Sequence, residues 1–164
     1  MAQTGSVAVN RVIQILKSNT GLPYSIQAIA KSTDTELAPI GSEQIHGINV
    51  AAEVAERSAG ARYPAVYVFC DRVKNTMREK FRTFSGQIRT NIEIRVSYDR
   101  LEGVERQLQL YVDAVTDVLD NNRGDWGNGS FFGGGYEINY GQVKHGGKNF
   151  VQTAKVSFEL EMSR

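Results

Sequence analysis

One cysteine, two histidines and three prolines are all that these 164 residues hold of those types, and each scarcity removes a class of chemistry. Cys70 has no partner for an intramolecular disulfide. Set among Val66, Tyr67, Val68 and Phe69, it reads as a buried thiol. His46 and His145 stand almost a hundred residues apart, so no pair has the spacing of a zinc site. Neither imidazole has a base and an orienting group beside it, which favours exposed or structurally hydrogen-bonded histidines over catalytic ones. No serine lies in a G-x-S-x-G elbow. No apolar run approaches the ~18 residues of a membrane span, and the opening MAQTGS lacks the apolar core of a secretory signal. The expectation is therefore a chain that is neither secreted nor membrane-inserted, for which Asn128-Gly129-Ser130 is a polar turn and not a glycosylation site. No cofactor or metal is expected.

What is present is a scaffold. Ile88, Ile92, Ile94, Val96 and Tyr98 fall on even positions, with Arg89, Asn91, Glu93, Arg95 and Ser97 between them, the period of a half-buried strand. Asp99-Arg100-Leu101-Glu102 has the form of a capping box and predicts a helix starting near Arg100. Leu101, Val104, Leu108, Tyr111, Val112, Val115, Val118 and Leu119 then recur every three or four residues, one apolar stripe that Gly124 would end. Burying six such aliphatics contributes on the order of 10 kcal/mol before entropy is subtracted. That helix should lie across the inner face of the strand's sheet.

The rest of the chain is organised around this unit. Ser6 to Ser18 carries Val9, Val12, Ile13 and Leu16 at helical spacing, and Gly21 and Pro23 follow it. Ser25 to Lys31 is a second short helix, and residues 32–43 read as a loop or an arm. Gln44 to Arg57 fits either a helix ending near Gly60 or, over Ile45 to Val50, an edge strand. Pro64 opens a strand over Ala65 to Cys70 that is apolar on both faces. Tyr136, Ile138 and Tyr140 alternate before a His145-Gly-Gly-Lys148 turn, and Val156, Phe158, Leu160 and Met162 alternate after it. The sum is an α+β fold: one domain over 1–164, with N-terminal helices and a candidate arm in 1–62 and a sheet-and-helix core in 63–164. Its sheet is mostly antiparallel, of about four strands, with one long amphipathic helix on one face.

Charge is balanced overall at +1 but unevenly spread. Asp71 to Arg95 holds seven bases and three acids, a net +4, and Asp99 to Asp125 holds seven acids and three bases, a net −4. The basic segment of one copy could meet the acidic helix face of the next; the plain alternative is a solvated surface of scattered charges. Near-neutrality argues against a dedicated nucleic-acid binder, although Arg72, Lys74, Arg78, Lys80, Arg82 and Arg89, with Phe81 or Phe84 for stacking, would serve one. A small enzyme working through Glu53, Glu56 or Asp71 is the third reading, without paired geometry in its favour. The glycines from Gly124 to Gly135 follow a helix instead of joining a strand to one, and no Gly-Lys-Ser/Thr occurs, so they make no phosphate loop. Within them Trp126, Phe131 and Phe132 either cap the core or stand ready as partner anchors.

The string YPAVYVFCDRVKNTMREKFRTFSGQIRTNIEIRVSYDR, followed by LEGVERQLQLYVDAVTDVLDNN, RGDWGNG, the glycine loop and KNFVQTAKVSFELEM, resembles the tail-terminator and neck proteins of long-tailed bacteriophages over roughly Tyr63 to Met162. The resemblance implies a small α+β subunit of a ring, commonly of six copies, that caps the tail tube and stops its growth. It implies as partners the chain itself, the tail tube protein and a head connector or neck protein, with DNA passing through the lumen without specific binding and no membrane. The site would be the virion tail or neck, assembled in the bacterial cytoplasm. A neighbouring head-to-tail joining protein of similar fold is the close alternative. On this reading Arg78, Lys80, Arg82 and Arg95, the acids Glu102, Glu105, Asp113 and Asp117, and Trp126, Phe131 and Phe132 are the expected subunit or partner contacts.

Overall fold

A computed structural model describes residues 3–57 and 62–164. In chain order the elements are helices α1 (Thr4–Lys17) and α2 (Leu22–Ser32), a 3-10 turn (Ser42–Gln44), strand β1 (Ile45–His46), helix α3 (Ala52–Arg57), and strands β2 (Ala65–Asn75) and β3 (Ser85–Tyr98). Helix α4 (Val104–Asp120) follows, and then strands β4 (Gly124–Gly127), β5 (Ser130–Phe132), β6 (Glu137–Tyr140), β7 (Lys144–Gly146) and β8 (Asn149–Ser163). The fold is α+β, with more strands than the expected four.

Three long strands carry the sheet. β3 lies between β2 and β8 and is antiparallel to both, pairing with β8 along its whole length from Ser85↔Ser163 to Tyr98↔Phe150. The additional strands are short edge pieces. β1 adds a parallel pair outside β2. β5, β6 and β7 succeed one another along the free edge of β8, so that one broken strand completes that side, and β4 pairs outside β5. Glycines interrupt this edge, which is why alternation in sequence shows only part of it.

The even positions of β3, Ile88, Ile92, Ile94 and Val96, meet Val66 and Val68 of β2 and Val156, Phe158 and Leu160 of β8 in one core. α4 covers that face, and α1 and α2 pack beside it. All of Val104, Leu108, Tyr111, Val112, Val115, Val118 and Leu119 are buried, and Leu110, Ala114 and Thr116 join them because α2 closes a second side of the helix. α4 starts four residues later than the capping box predicts. The chain spends Asp99 to Glu102 turning back across the sheet, and Gly103 enters the helix at φ +92°, a left-handed conformation open to glycine, with no side-chain cap. Leu101, expected in the apolar stripe, is therefore exposed. The helix also ends at Asp120, short of Gly124.

Residues 32–43 lie against the body: Ile40 is buried, Leu37 is partly buried, and the Tyr111 hydroxyl donates to the Ala38 carbonyl at 2.7 Å. Burial pushes that phenol up to about 12. The two readings of 44–57 both occur in part, as β1 and α3, and the helix end expected near Gly60 lies outside the described residues. Cys70 is half-buried against the core instead of enclosed in it, and it stands at the irregularity of β2 between Cys70 and Arg72, where the register with β3 shifts.

Candidate functional site

Among the described residues the sheet's other face carries no helix layer but α3 and the β1–α3 connection at one end, and it is polar and charged. Across it Arg72 of β2 reaches Glu159 of β8, and Arg89 stands 3.7 Å from Asp71. Asn91 accepts from the Ser157 hydroxyl at 2.7 Å. An open groove of about 440 Å³ runs along this face between Arg89, Glu159 and Glu161 on one side and Phe131, Tyr136 and Glu137 on the other. Alternation alone assigns Arg95 to this face and to solvent, but the structure corrects that expectation. Arg95 is only 2% exposed. Its guanidinium lies over the Tyr67 ring, its Nε donates to Glu93 at 2.7 Å, and it donates to the Val50 carbonyl of the segment between β1 and α3 that folds over it. A side chain so enclosed offers almost no surface to a partner.

The glycine-rich loop divides its aromatics. Trp126 (5% exposed) and Phe132 (1%) turn inward, where their rings pack with Phe158 at centroid distances of 6.2 and 5.2 Å, and the indole N–H donates to the Asn122 carbonyl at 2.5 Å. Both cap the core and leave almost no surface to a partner. Gly124 and Gly127, at φ +107° and +81°, make the turns that bring Trp126 back. Only Phe131, 48% exposed, remains on the surface.

The remaining expected contacts fall into two surfaces. The first is the tip of the long β2–β3 hairpin, residues 76–84. Arg78, Lys80 and Arg82 are exposed there, and the loop is held by specific hydrogen bonds. Asn75 Oδ1 accepts from the backbone N–H groups of Met77 and Ser85, the Arg164 carbonyl accepts from Thr83 and Phe84, and the Ser163 hydroxyl donates to Glu79 at 2.6 Å. That last bond, with Arg82 Nε at 3.4 Å, holds the Glu79 carboxyl below the ordinary range. Arg78 stands 3.8 Å from Glu161, an exposed pair of the kind that contributes little. Lys80 makes no ion pair among the described residues. Phe84 turns inward and is buried, whereas Phe81 is wholly exposed at φ +64°.

The second surface is the outer side of α4. Glu105, Asp113 and Asp117 are exposed there at multiples of four residues, with Glu102 in the turn before the helix, and none of the four makes an ion pair among the described residues. Partial burial, with Asp117 nearby, raises the Asp113 carboxyl. Beside this row stand two exposed tyrosines that the charge reading overlooked. The Tyr136 hydroxyl is 3.5 Å from Asp120 Oδ2. Burial and then the charges of Asp113 and Glu105 raise the Tyr140 hydroxyl. β6 thus runs beside α4 in the opposite sense, placing one tyrosine near each end of the acid row.

Among the described residues no three His, Cys, Asp or Glu side chains are grouped to hold a metal ion, and no helix is long and apolar enough to cross a membrane. Comparison with the models of known protein families gives no match, and comparison with curated proteins gives none either.

Proposed function

We propose that this chain is a structural subunit whose copies join head to tail into a closed ring, and that the ring is the terminator of a long-tailed phage tail, capping the tube and receiving the head connector. The supporting observation is that one chain presents two exposed surfaces of opposite charge. The basic tip projects from the β2–β3 hairpin at the end of the sheet where β8 finishes, and the acid row lies on the outer side of α4 beside Tyr136 and Tyr140. Among the described residues no ion pair joins the two surfaces within one copy. Repeated between copies, they give a heterologous contact, which closes into a ring when the rotation per subunit divides a full turn. A neck or head-to-tail joining ring of the same fold is the neighbouring assignment.

In particles of the phage that encodes the chain, gold-labelled antibody against it should mark one position, the head-proximal end of the tail. Label along the tube or absent from the virion would overturn the terminator assignment.

A further inference from the structure

Phe81 is the least explained side chain of the molecule. It is wholly exposed, with 101% of its reference surface open to solvent, at the tip of a loop that is otherwise pinned by hydrogen bonds. It also adopts a left-handed φ of +64°, a conformation that L-residues other than glycine avoid at a cost of roughly 1–2 kcal/mol. Nothing in its own chain benefits from an exposed phenyl ring held in that posture. A fixed aromatic knob surrounded by Arg78, Lys80 and Arg82 has the composition of an interface anchor, since buried aromatics and arginines carry most of the energy of protein contacts.

The surface beside α4 offers a matching composition. Tyr136 and Tyr140, both exposed, are four residues apart along an extended strand, roughly 13 Å. Asp113 and Asp120 are seven apart along α4, roughly 10 Å. The near-equality of these spans makes one strip, aromatic along residues 136–140 and acidic on α4, with Glu105 and Asp117 in the same row. The tip has three cations against one carboxylate, Glu79, a net +2. A phenyl ring can lie against either tyrosine edge-on or offset, and the flanking cations then reach Glu105, Asp113 and Asp117, which make no ion pair among the described residues.

We infer that Phe81 of one copy seats between Tyr136 and Tyr140 of the next, with Arg78, Lys80 and Arg82 paired to that neighbour's Glu105, Asp113 and Asp117. This inference rests on the head-to-tail reading above and names the contact that makes it. The occupant is a second copy of the chain because the charges of tip and strip are opposite and both belong to every subunit.

The experiment combines a substitution with a crosslink. Phe81→Ala should raise the concentration at which assemblies dissociate at least about tenfold while leaving the unfolding midpoint of the dissociated subunit unchanged, because the phenyl ring is wholly exposed there. In a Cys70→Ser background, mixing Phe81→Cys chains with Tyr140→Cys chains under mild oxidation should give a covalent dimer. Phe81→Cys mixed with Tyr24→Cys, on the exposed side of α2, should give none. Assemblies that persist unaltered in Phe81→Ala, or that give no Phe81–Tyr140 crosslink, overturn this contact and leave the ring reading standing. A wild-type chain that stays monomeric at every concentration overturns both. A monomer whose affinity for single-stranded DNA disappears with Phe81→Ala assigns the tip to nucleic acid and overturns both as well.

Discussion

The Arg95 guanidinium carbon lies 3.9 Å from the centre of the Tyr67 ring, and the His46 imidazole stacks against that same tyrosine at 4.9 Å. This cation and these two rings form the junction at which the segment from β1 to α3 is held on the sheet. Arg95 carries the most, because it also bonds Glu93 and the Val50 carbonyl. Arg95→Ala should lower unfolding free energy by about 3 kcal/mol, since it leaves a cavity and a half-enclosed Glu93 without its partner. Denaturant unfolding checks this, and a loss below about 0.5 kcal/mol, the range of ordinary surface substitutions, would contradict it.

His46 gives the same junction a pH dependence. Burial first, then Lys17 and Arg95, lower its pKa below 6.5. The folded state therefore binds its proton less readily than the unfolded state, and stability falls as pH drops from about 6.5 toward the folded pKa. His46→Phe keeps a ring on Tyr67 and removes the proton, so its stability should change less with pH over that window. Thermal unfolding of both proteins between pH 5 and 7 measures the difference; identical slopes would contradict the assignment.

Trp126 and Phe131 share one loop and should behave oppositely. Trp126→Ala removes a buried ring packed on Phe132 and Phe158 and should cost about 3–5 kcal/mol. Phe131→Ala, at an exposed position, should change stability by no more than about 0.5 kcal/mol. Equal losses would mean that Phe131 also serves the core.

Asp113 should report assembly through its own titration. In the free subunit its carboxyl is raised by burial and by Asp117, so its ionised form costs fold stability, a cost relieved as pH falls through its folded pKa. Cations from a neighbour would favour the ionised form and lower that pKa. Acidification across this range should thus weaken assembly while this group's contribution to the subunit's own stability improves. Carboxyl chemical shifts of Asp113 in dilute and assembled protein test the direction, and an unchanged or higher pKa on assembly would contradict it.

The long strands and the core face of α4 were legible in sequence because alternation and three-to-four spacing are local signals, carried by Ile88 to Val96 and Val104 to Leu119 themselves. Arg95 was not, since its cover comes from Val50, which is remote in sequence, and nothing beside Arg95 announces it. Trp126 was hidden by its glycines: a glycine-rich context suggests a loose loop, yet here positive-φ turns at Gly124 and Gly127 are what fold the indole inward. The exposed tip was visible as charge, through Arg78, Lys80 and Arg82. The distinction between Phe81 and Phe84 was not, because both are phenylalanines in a basic stretch and only the hydrogen bonds to Arg164 and Ser163 decide which one turns in. Tyr136 and Tyr140 read as strand alternation, and their place beside the acid row depends on how β6 lies against α4.

The central claim is that copies of this chain close head to tail, and the mass of the native particle by light scattering, with negative-stain images of the same sample, tests it most directly. A single species of several subunits appearing as closed rings is the predicted result. A monomer at every concentration, or open filaments without rings, would contradict it.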